Sequence, residues 1–365
     1  MISYFSLAKQ NKSIKKEILK SISSIVDSGD FCNGFYVRDF ENRLIDYLNI
    51  SNAVGVSSGS SALIVSLKAL NLRSEDEIII PTNTFFATAA AVAHINCKVV
   101  FVDCDVNTAN IDIEDLERKI TKNTKCIIGV HLYGNPFDIY KVIEICKKYN
   151  IKLIEDCAQS FGSLYDNKMV GTFGICGCFS FYPSKNIGAF GEAGAVVTND
   201  TDIATNIKAL CNHGSFNKYF HDYMGFNMKM DCIQAAILST KMKYIDEWND
   251  KRRHIVNTYL SEIKNPNISF IKTLNNTKSV NHLFVVIVKD RKNFMEYMSN
   301  KGIETAIHYP IPCHLQKAFS YLCYKIGDFP QAEYLSSHIV SLPLYPELRS
   351  DELYEIVETI NRYNL

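Results

Sequence analysis

Two residues far apart in the chain have the types needed for carbonyl chemistry. In KLIEDCAQSFG, Asp156 closes an apolar run, and 185 − 156 = 29 residues later Lys185 stands in the Gly-rich segment FSFYPSKNIGAFGEAGAVVTN. A lysine held away from full hydration can form a Schiff base, and a carboxylate facing a pyridine nitrogen keeps such a ring cationic as an electron sink. A carboxylate at the end of a buried strand should face a crevice rather than bulk water. The same residues read equally as a solvated loop lysine and a strand-end Asp capping the next turn, which is what most such residues are. A third stretch, VGVSSGSSALIVSL, runs strand, small polar turn, helix, with Ser58, Gly59, Ser60 and Ser61 where the helix begins. Free N–H groups and the positive dipole end suit a phosphate there, although serine is also a favoured N-cap.

These residues need strands and helices to bring them together. From about residue 50 to 210 short apolar runs alternate with helical stretches: Val54–Val56, Glu77–Ile80, Val99–Val102, Cys126–Val130, Lys152–Ile154, Gly177–Phe181 and Ala195–Thr198. Helical spacing between them, as in Leu63, Leu67, Leu70 or Val142, Ile145, Tyr149, implies an α/β fold. Its mostly parallel seven-stranded sheet lies between helices, with a ligand crevice at the carboxyl ends of the strands. The first 50 residues read as a helical lead-in followed by a loop, FCNGFYVRDFE. KMKYIDEWNDKRRHIVNTYLSEI reads as one long amphipathic helix with Met242, Ile245 and Trp248 buried. A strand (His282–Val288), a helix (Arg291–Asn300), a strand (Glu304–Tyr309) and a closing helix from Asp351 then suggest a smaller C-terminal α/β domain. The expected division is 1–240 for the lead-in and large domain and 241–365 for the linking helix and small domain.

Composition narrows the possible partners. With 39 Lys plus Arg against 39 Asp plus Glu in 365 residues, no net field favours nucleic acid or an anionic membrane. The 12 cysteines are scattered without a CxxC pair, so they read as reduced, mostly buried small hydrophobes rather than disulfides or metal ligands. No stretch approaches the ~18 uninterrupted apolar residues of a membrane span, and no secretory signal pattern opens the chain. The expected location is the cytoplasm.

The motifs GVSSGSSAL, PTNTFFAT, FVDCD, HLYGNP, IEDCAQSFG, FSFYPSKNIGAFGEAGAVVTND, NHG, GFNMKMDCIQAAIL, YIDEWN, HYPIP and SLPLYPEL occur in one order along nearly the whole chain. In that order they resemble the sugar-nucleotide aminotransferases, fold-type I enzymes that use pyridoxal 5′-phosphate (PLP). The resemblance implies that Lys185 is the Schiff-base lysine and later the proton shuttle. It implies that Asp156 pairs with the pyridine nitrogen and that Gln159 meets the ring hydroxyl. Ser58, Gly59, Ser60 and Ser180 would hold the phosphate and Phe85 would stack on the ring. Asn227 would reach the phosphate held by a neighbouring subunit, making the enzyme a homodimer with shared sites. Tyr182, His308 and Tyr309 would meet the sugar. No metal is implied.

Some positions depart from the common pattern. Ser60 stands where Thr is usual, Ser184 replaces the Gly before the lysine, GEAG replaces GDGG after it, and Lys229 replaces an Arg. None removes a catalytic group. The run KNIGAF resembles enzymes that aminate C3 of dTDP-linked 3-keto-6-deoxyhexoses, whereas GEAG is nearer to those acting at C4. The expectation is C3 amination with L-glutamate as donor, making an amino deoxysugar for a glycan, with C4 amination as the alternative. The intact Lys185, Asp156, Gln159 and Ser180 argue against a non-catalytic PLP-binding sensor, and Lys185 against the related dehydratases, which carry His at that position.

Overall fold

The computed structural model describes residues 1–364. Two helices lead in: α1 (Ala8–Ser28) and α2 (Phe35–Leu48). There follow β1 (Asn52–Val56), α3 (Gly59–Ala69), β2 (Glu77–Pro81), α4 (Phe86–His94), β3 (Lys98–Val102), α5 (Ile113–Arg118), β4 (Thr124–Val130), α6 (Ile139–Tyr149) and β5 (Lys152–Asp156). A short hairpin, β6 (Leu164–Tyr165) and β7 (Lys168–Met169), precedes β8 (Cys176–Ser180), β9 (Gly194–Thr198), α7 (Thr201–Cys211), α8 (Cys232–Met242) and α9 (Ile245–Glu262). The C-terminal part holds β10 (Ile268–Phe270), β11 (Thr277–Lys278), β12 (Phe284–Val288), α10 (Arg291–Asn300), α11 (Pro330–His338), β13 (Ile339–Leu342) and α12 (Ser350–Asn361).

The main sheet has the order β1-β9-β8-β5-β4-β2-β3. All its pairs are parallel except those that β9 makes with β1 and β8. It is the seven-stranded sheet expected from the apolar runs. Neighbouring residues serve opposite faces: Leu153 joins the core under α1, α2, α6 and α8, and Ile154 the core under α3, α4 and α7. Burial on both faces is why these strands read as continuous apolar runs rather than alternating ones. Ten of the twelve cysteines are buried and all are free thiols.

Three expected elements differ. The segment FYVRDFE is not a loop: Phe35 opens α2, whose Val37, Phe40, Leu44 and Leu48 form one buried stripe. The long helix is broken at Lys243 and Tyr244, so Met242 ends α8 while Ile245 and Trp248 are buried on α9. No Pro or Gly marks the break. It is held from outside, where Lys243 Nζ meets Glu17 at 3.0 Å and the Tyr244 hydroxyl donates to the same carboxylate. Residues 304–309 do not form a strand. Only Ala306 pairs, with Ser341 of β13, before the chain leaves the sheet to carry His308 and Tyr309 into the large-domain crevice.

β10, β12 and β13 make an antiparallel sheet covered by α10 and α12. We propose the 240/241 division as the boundary between the two sheets. Packing crosses it at both ends: Ile2 enters the C-terminal core, and Cys313, Phe319, Phe329 and Leu335 pack into the large-domain core.

Candidate active site

The carboxyl ends of β1, β5 and β8 and the N-termini of α3 and α4 surround a cavity of about 510 Å³. Its wall includes Ser58, Gly59, Ser60, Phe85, Asp156, Gln159, Ser180, Tyr182, Lys185, His308 and Tyr309. All the expected site residues but Asn227 are therefore brought together.

One end of the cavity is built from small residues. Ser58 caps α3, its Oγ accepting the Ser61 N–H at 3.0 Å, so its hydroxyl is already engaged. The N–H groups of Gly59 and Ser60 make no hydrogen bond among the described residues. A Cβ on Gly59 would lie 2.6 Å from the Ser180 Cβ, and one on Gly194 would lie 2.4 Å from the Ser58 carbonyl carbon. Glycine at both positions lets the start of α3 close onto Ser180. Two free N–H donors, a helix dipole and the Ser180 hydroxyl converge there, a cradle suited to a dianion.

Asp156 ends β5, buried, with Oδ2 accepting from the Thr88 hydroxyl at 2.8 Å and Oδ1 from the Ala158 N–H at 3.1 Å. Burial pushes its pKa up, and the two hydrogen bonds and the nearby Lys185 charge oppose that rise. Lys185 follows β8. Its side chain keeps some open surface on the cavity, yet dense surrounding protein lowers its pKa to about 8, against the pull of Asp156. An amine with that pKa is about one-tenth neutral at pH 7, far more than an ordinary lysine, and the neutral fraction can act as a nucleophile.

The opposite end is aromatic. Gln159 accepts the Tyr133 N–H at 2.6 Å and donates to the Tyr309 hydroxyl at 3.0 Å. Phe85, at the N-cap of α4 and 55% exposed, has its ring 5.5 Å from that of Tyr309. The Tyr133 hydroxyl donates to the His308 carbonyl at 2.6 Å, and His308 Nδ1 meets the Ser341 hydroxyl at 2.9 Å. Burial, helped by the Lys185 charge, lowers the His308 pKa to about 4, so the ring is neutral at pH 7.

Residues 12–361 match the DegT/DnrJ/EryC1/StrS aminotransferase family. The chain belongs to that family. This aminotransferase is 42% identical over 363 residues, 100% of its length and 99% of the relative, to a dTDP-3-amino-3,6-dideoxy-alpha-D-galactopyranose transaminase of Aneurinibacillus thermoaerophilus. It is 37% identical over 349 residues, 96% of its length and 94% of the relative, to a UDP-N-acetyl-3-dehydro-alpha-D-glucosamine 3-aminotransferase of Acidithiobacillus ferrooxidans. The crystal structure of S. venezuelae DesV in complex with a ketimine intermediate superposes with a TM-score of 0.97 at 32% identity, covering 99% of this chain and 97% of that one.

The aminotransferases of this family depend on PLP. The aminotransferase cavity fits that cofactor, with an anion cradle at one end and a buried carboxylate, an amine of lowered pKa and aromatic rings along the rest. Asn227 lies outside the cavity wall. It is exposed, pairs through its backbone with Asn212, and does not cap α8, whose cap is Asp231. Sequence reasoning missed Thr88, which carries the hydrogen bond to Asp156, and His282, which lines the cavity. Thr88 had a signal in PTNTFFAT, since it lies in the first turn of the helix that follows Phe85. His282 had none beyond its place at the head of a strand.

Proposed function

We propose that this enzyme transfers the amino group of L-glutamate to C3 of a dTDP-linked 3-keto-6-deoxyhexose, as a homodimer in the cytoplasm. The observation that carries the reading is end-to-end identity of 42% to a transaminase named for a dTDP-3-amino sugar, together with 37% identity to a 3-aminotransferase of a UDP sugar. The chain is a PLP-dependent aminotransferase of nucleotide-linked sugars. No helix among the described residues is long and apolar enough to cross a membrane.

PLP, when bound, supplies a ring that takes up the electron pair released at the donor's α-carbon. In our reading Lys185 is the residue that would hold PLP through its amine and, when free, would move the proton at the donor's α-carbon. Asp156, ionised, keeps the proton on the ring nitrogen. The Gly59 and Ser60 N–H groups and the Ser180 hydroxyl hold the phosphate, with Ser58 shaping the turn as its cap. Phe85 would stack on the ring, and Gln159, held by Tyr133 and Tyr309, would meet the ring hydroxyl. Tyr182, neutral His308 and Tyr309 orient the sugar and exclude water.

The dimer draws support from an apolar stretch with nothing to cover it. Tyr219 is 82% and Met224 90% exposed, and Phe220 and Tyr223 are exposed beside them. Asn227 follows that stretch, which suits a side chain serving a partner's cradle.

Glu192 of GEAG lines the cavity, which keeps C4 amination as a second reading. The test is steady-state turnover with L-glutamate and a panel of dTDP-, UDP- and GDP-linked 3-keto and 4-keto sugars. The highest kcat/KM is expected for a dTDP-3-keto-6-deoxyhexose. Turnover confined to 4-keto sugars, or to a UDP sugar, would overturn C3 amination of a dTDP-linked sugar.

A further inference from the structure

The residue after the Schiff-base lysine is the most heavily tied side chain of its loop. Asn186 is buried, and its Nδ2 donates to Asn249 Oδ1 at 2.8 Å and to the Val280 carbonyl at 3.1 Å. A main-chain carbonyl can only accept, so the NH2 end of the amide must face Val280, and both of its hydrogens are used. The Asn186 Oδ1 is then an acceptor, and it faces His282 Nδ1 at 3.1 Å. His282 Nδ1 must carry the hydrogen.

Two basic side chains face this ring, Lys185 on the loop and Arg252 on α9, and His308, itself neutral at pH 7, lies beside them. Burial and these neighbours push the His282 pKa well down, so the ring is neutral and Nε2 holds a lone pair. Nε2 makes no hydrogen bond among the described residues, and His282 lines the cavity. The backbone of His282 is fixed as well, since Arg252 Nη1 donates to its carbonyl at 3.4 Å and to that of Leu344 at 3.1 Å. Asn249 closes the group by donating to the Phe161 carbonyl at 3.2 Å. Asn186, Asn249, His282 and Arg252 thus form a buried polar bridge from the Lys185 loop to α9 and the segment leading into β12. Such a bridge rigidifies when its members are paired and is costly when one partner is lost.

We infer that His282 is a positioning residue for Lys185: its Nδ1–H, donated to Asn186 Oδ1, holds the lysine loop in the geometry that transamination needs. This rests on the reading of Lys185 as the Schiff-base lysine. Without the bond Asn186 Oδ1 is left buried and unpaired and the loop relaxes. Lys185 then gains water and its pKa climbs from about 8 toward that of an ordinary lysine.

The test compares His282→Leu, which removes the donor, with His282→Asn, whose amide nitrogen can stand where Nδ1 stood. For His282→Leu the glutamate half-reaction should slow about tenfold with the KM for glutamate nearly unchanged. The pH midpoint of Schiff-base formation by the apoenzyme should move up by about one unit. His282→Asn should recover most of both. Asn186→Ala should reproduce the His282→Leu effects, and the double variant should be no worse than either single one. If His282→Leu fails to fold, Asn186→Ala with and without His282→Asn carries the same comparison. Wild-type rate and midpoint in His282→Leu or Asn186→Ala, or a His282→Asn variant as impaired as His282→Leu, would overturn the inference. Borohydride reduction of the wild-type holoenzyme that fails to trap Lys185 would instead overturn the reading beneath it.

Discussion

The Thr88 hydroxyl donates to Asp156 Oδ2 at 2.8 Å, so a side chain on α4 tunes the carboxylate at the end of β5. Burial favours the protonated acid, and this bond is one of the groups that hold the ionised form. Replacing Thr88 with Val keeps the shape and removes the donor. A hydrogen bond to a charged group is worth about 1.5–3 kcal/mol, equivalent to about one to two pKa units. The Asp156 pKa should rise, and the ionised form should be lost at a higher pH than in the wild type. The acidic limb of the kcat/KM profile for L-glutamate should therefore move upward by about that amount. An unmoved limb would show that Thr88 does not tune Asp156.

Asp156→Asn removes the charge altogether while keeping the bond to Thr88 possible. A neutral amide cannot hold the ring nitrogen protonated, and the glutamate half-reaction should fall on the order of 10²-fold or more, with the fold intact by circular dichroism. Near-normal rates would mean that another group protonates the ring.

Lys185 should titrate near pH 8 in the apoenzyme. Only the neutral amine attacks an aldehyde, so the rate of Schiff-base formation should climb with pH and level off above about 8, well below the range of an exposed lysine. The Asp156 charge raises this pKa, so the midpoint in Asp156→Asn should be lower. Stopped-flow absorption of the imine band reads both. A midpoint near the ordinary lysine value would show that the protein packed around this amine does not lower its pKa.

The legible parts of the molecule are those whose burial is continuous along the chain. Runs such as Cys126–Val130 and Ala195–Thr198 are buried on both faces and announce themselves by composition alone. Asp156 stood out because it ends such a run, and Lys185 because it lies in the Gly-rich loop between two of them, and both line one cavity. Where the deciding contact comes from elsewhere, local pattern fails. The break at Lys243 and Tyr244 depends on Glu17, more than 200 residues away. The apolar spacing of Glu304–Tyr309 suits a strand, but β13 pairs with it only at Ala306. His282 takes its place in the site from Asn186 and Arg252, which no spacing in the sequence connects.

Gly59→Ala tests the cradle. The added methyl would lie 2.6 Å from the Ser180 Cβ, so the start of α3 and the end of β8 must separate. Loss of about one hydrogen bond to the phosphate, ~1.5 kcal/mol or more, should weaken cofactor retention about tenfold. Dialysis followed by the visible band measures this. The imine should still form on Lys185 at high PLP concentration, since the lysine is untouched.

The shared dimer site can be tested by subunit mixing. Asn227 is exposed, lies outside the cavity of its own chain and follows an uncovered apolar stretch. Lys185→Ala and Asn227→Ala are each expected to be nearly inactive as homodimers. In a heterodimer of the two, a site that borrows Asn227 from its partner is either missing both groups or intact. Equal mixing with random exchange makes about half of the dimers heterodimers with one good site each, so activity should return to about a quarter of the wild-type value. If Asn227 serves its own chain, every mixed site lacks one group and activity stays at the sum of the two parents. The same mixing should show PLP strengthening the dimer, because a ligand held by both chains favours the assembled state. A monomer by sedimentation that turns over at full rate would end the shared-site reading.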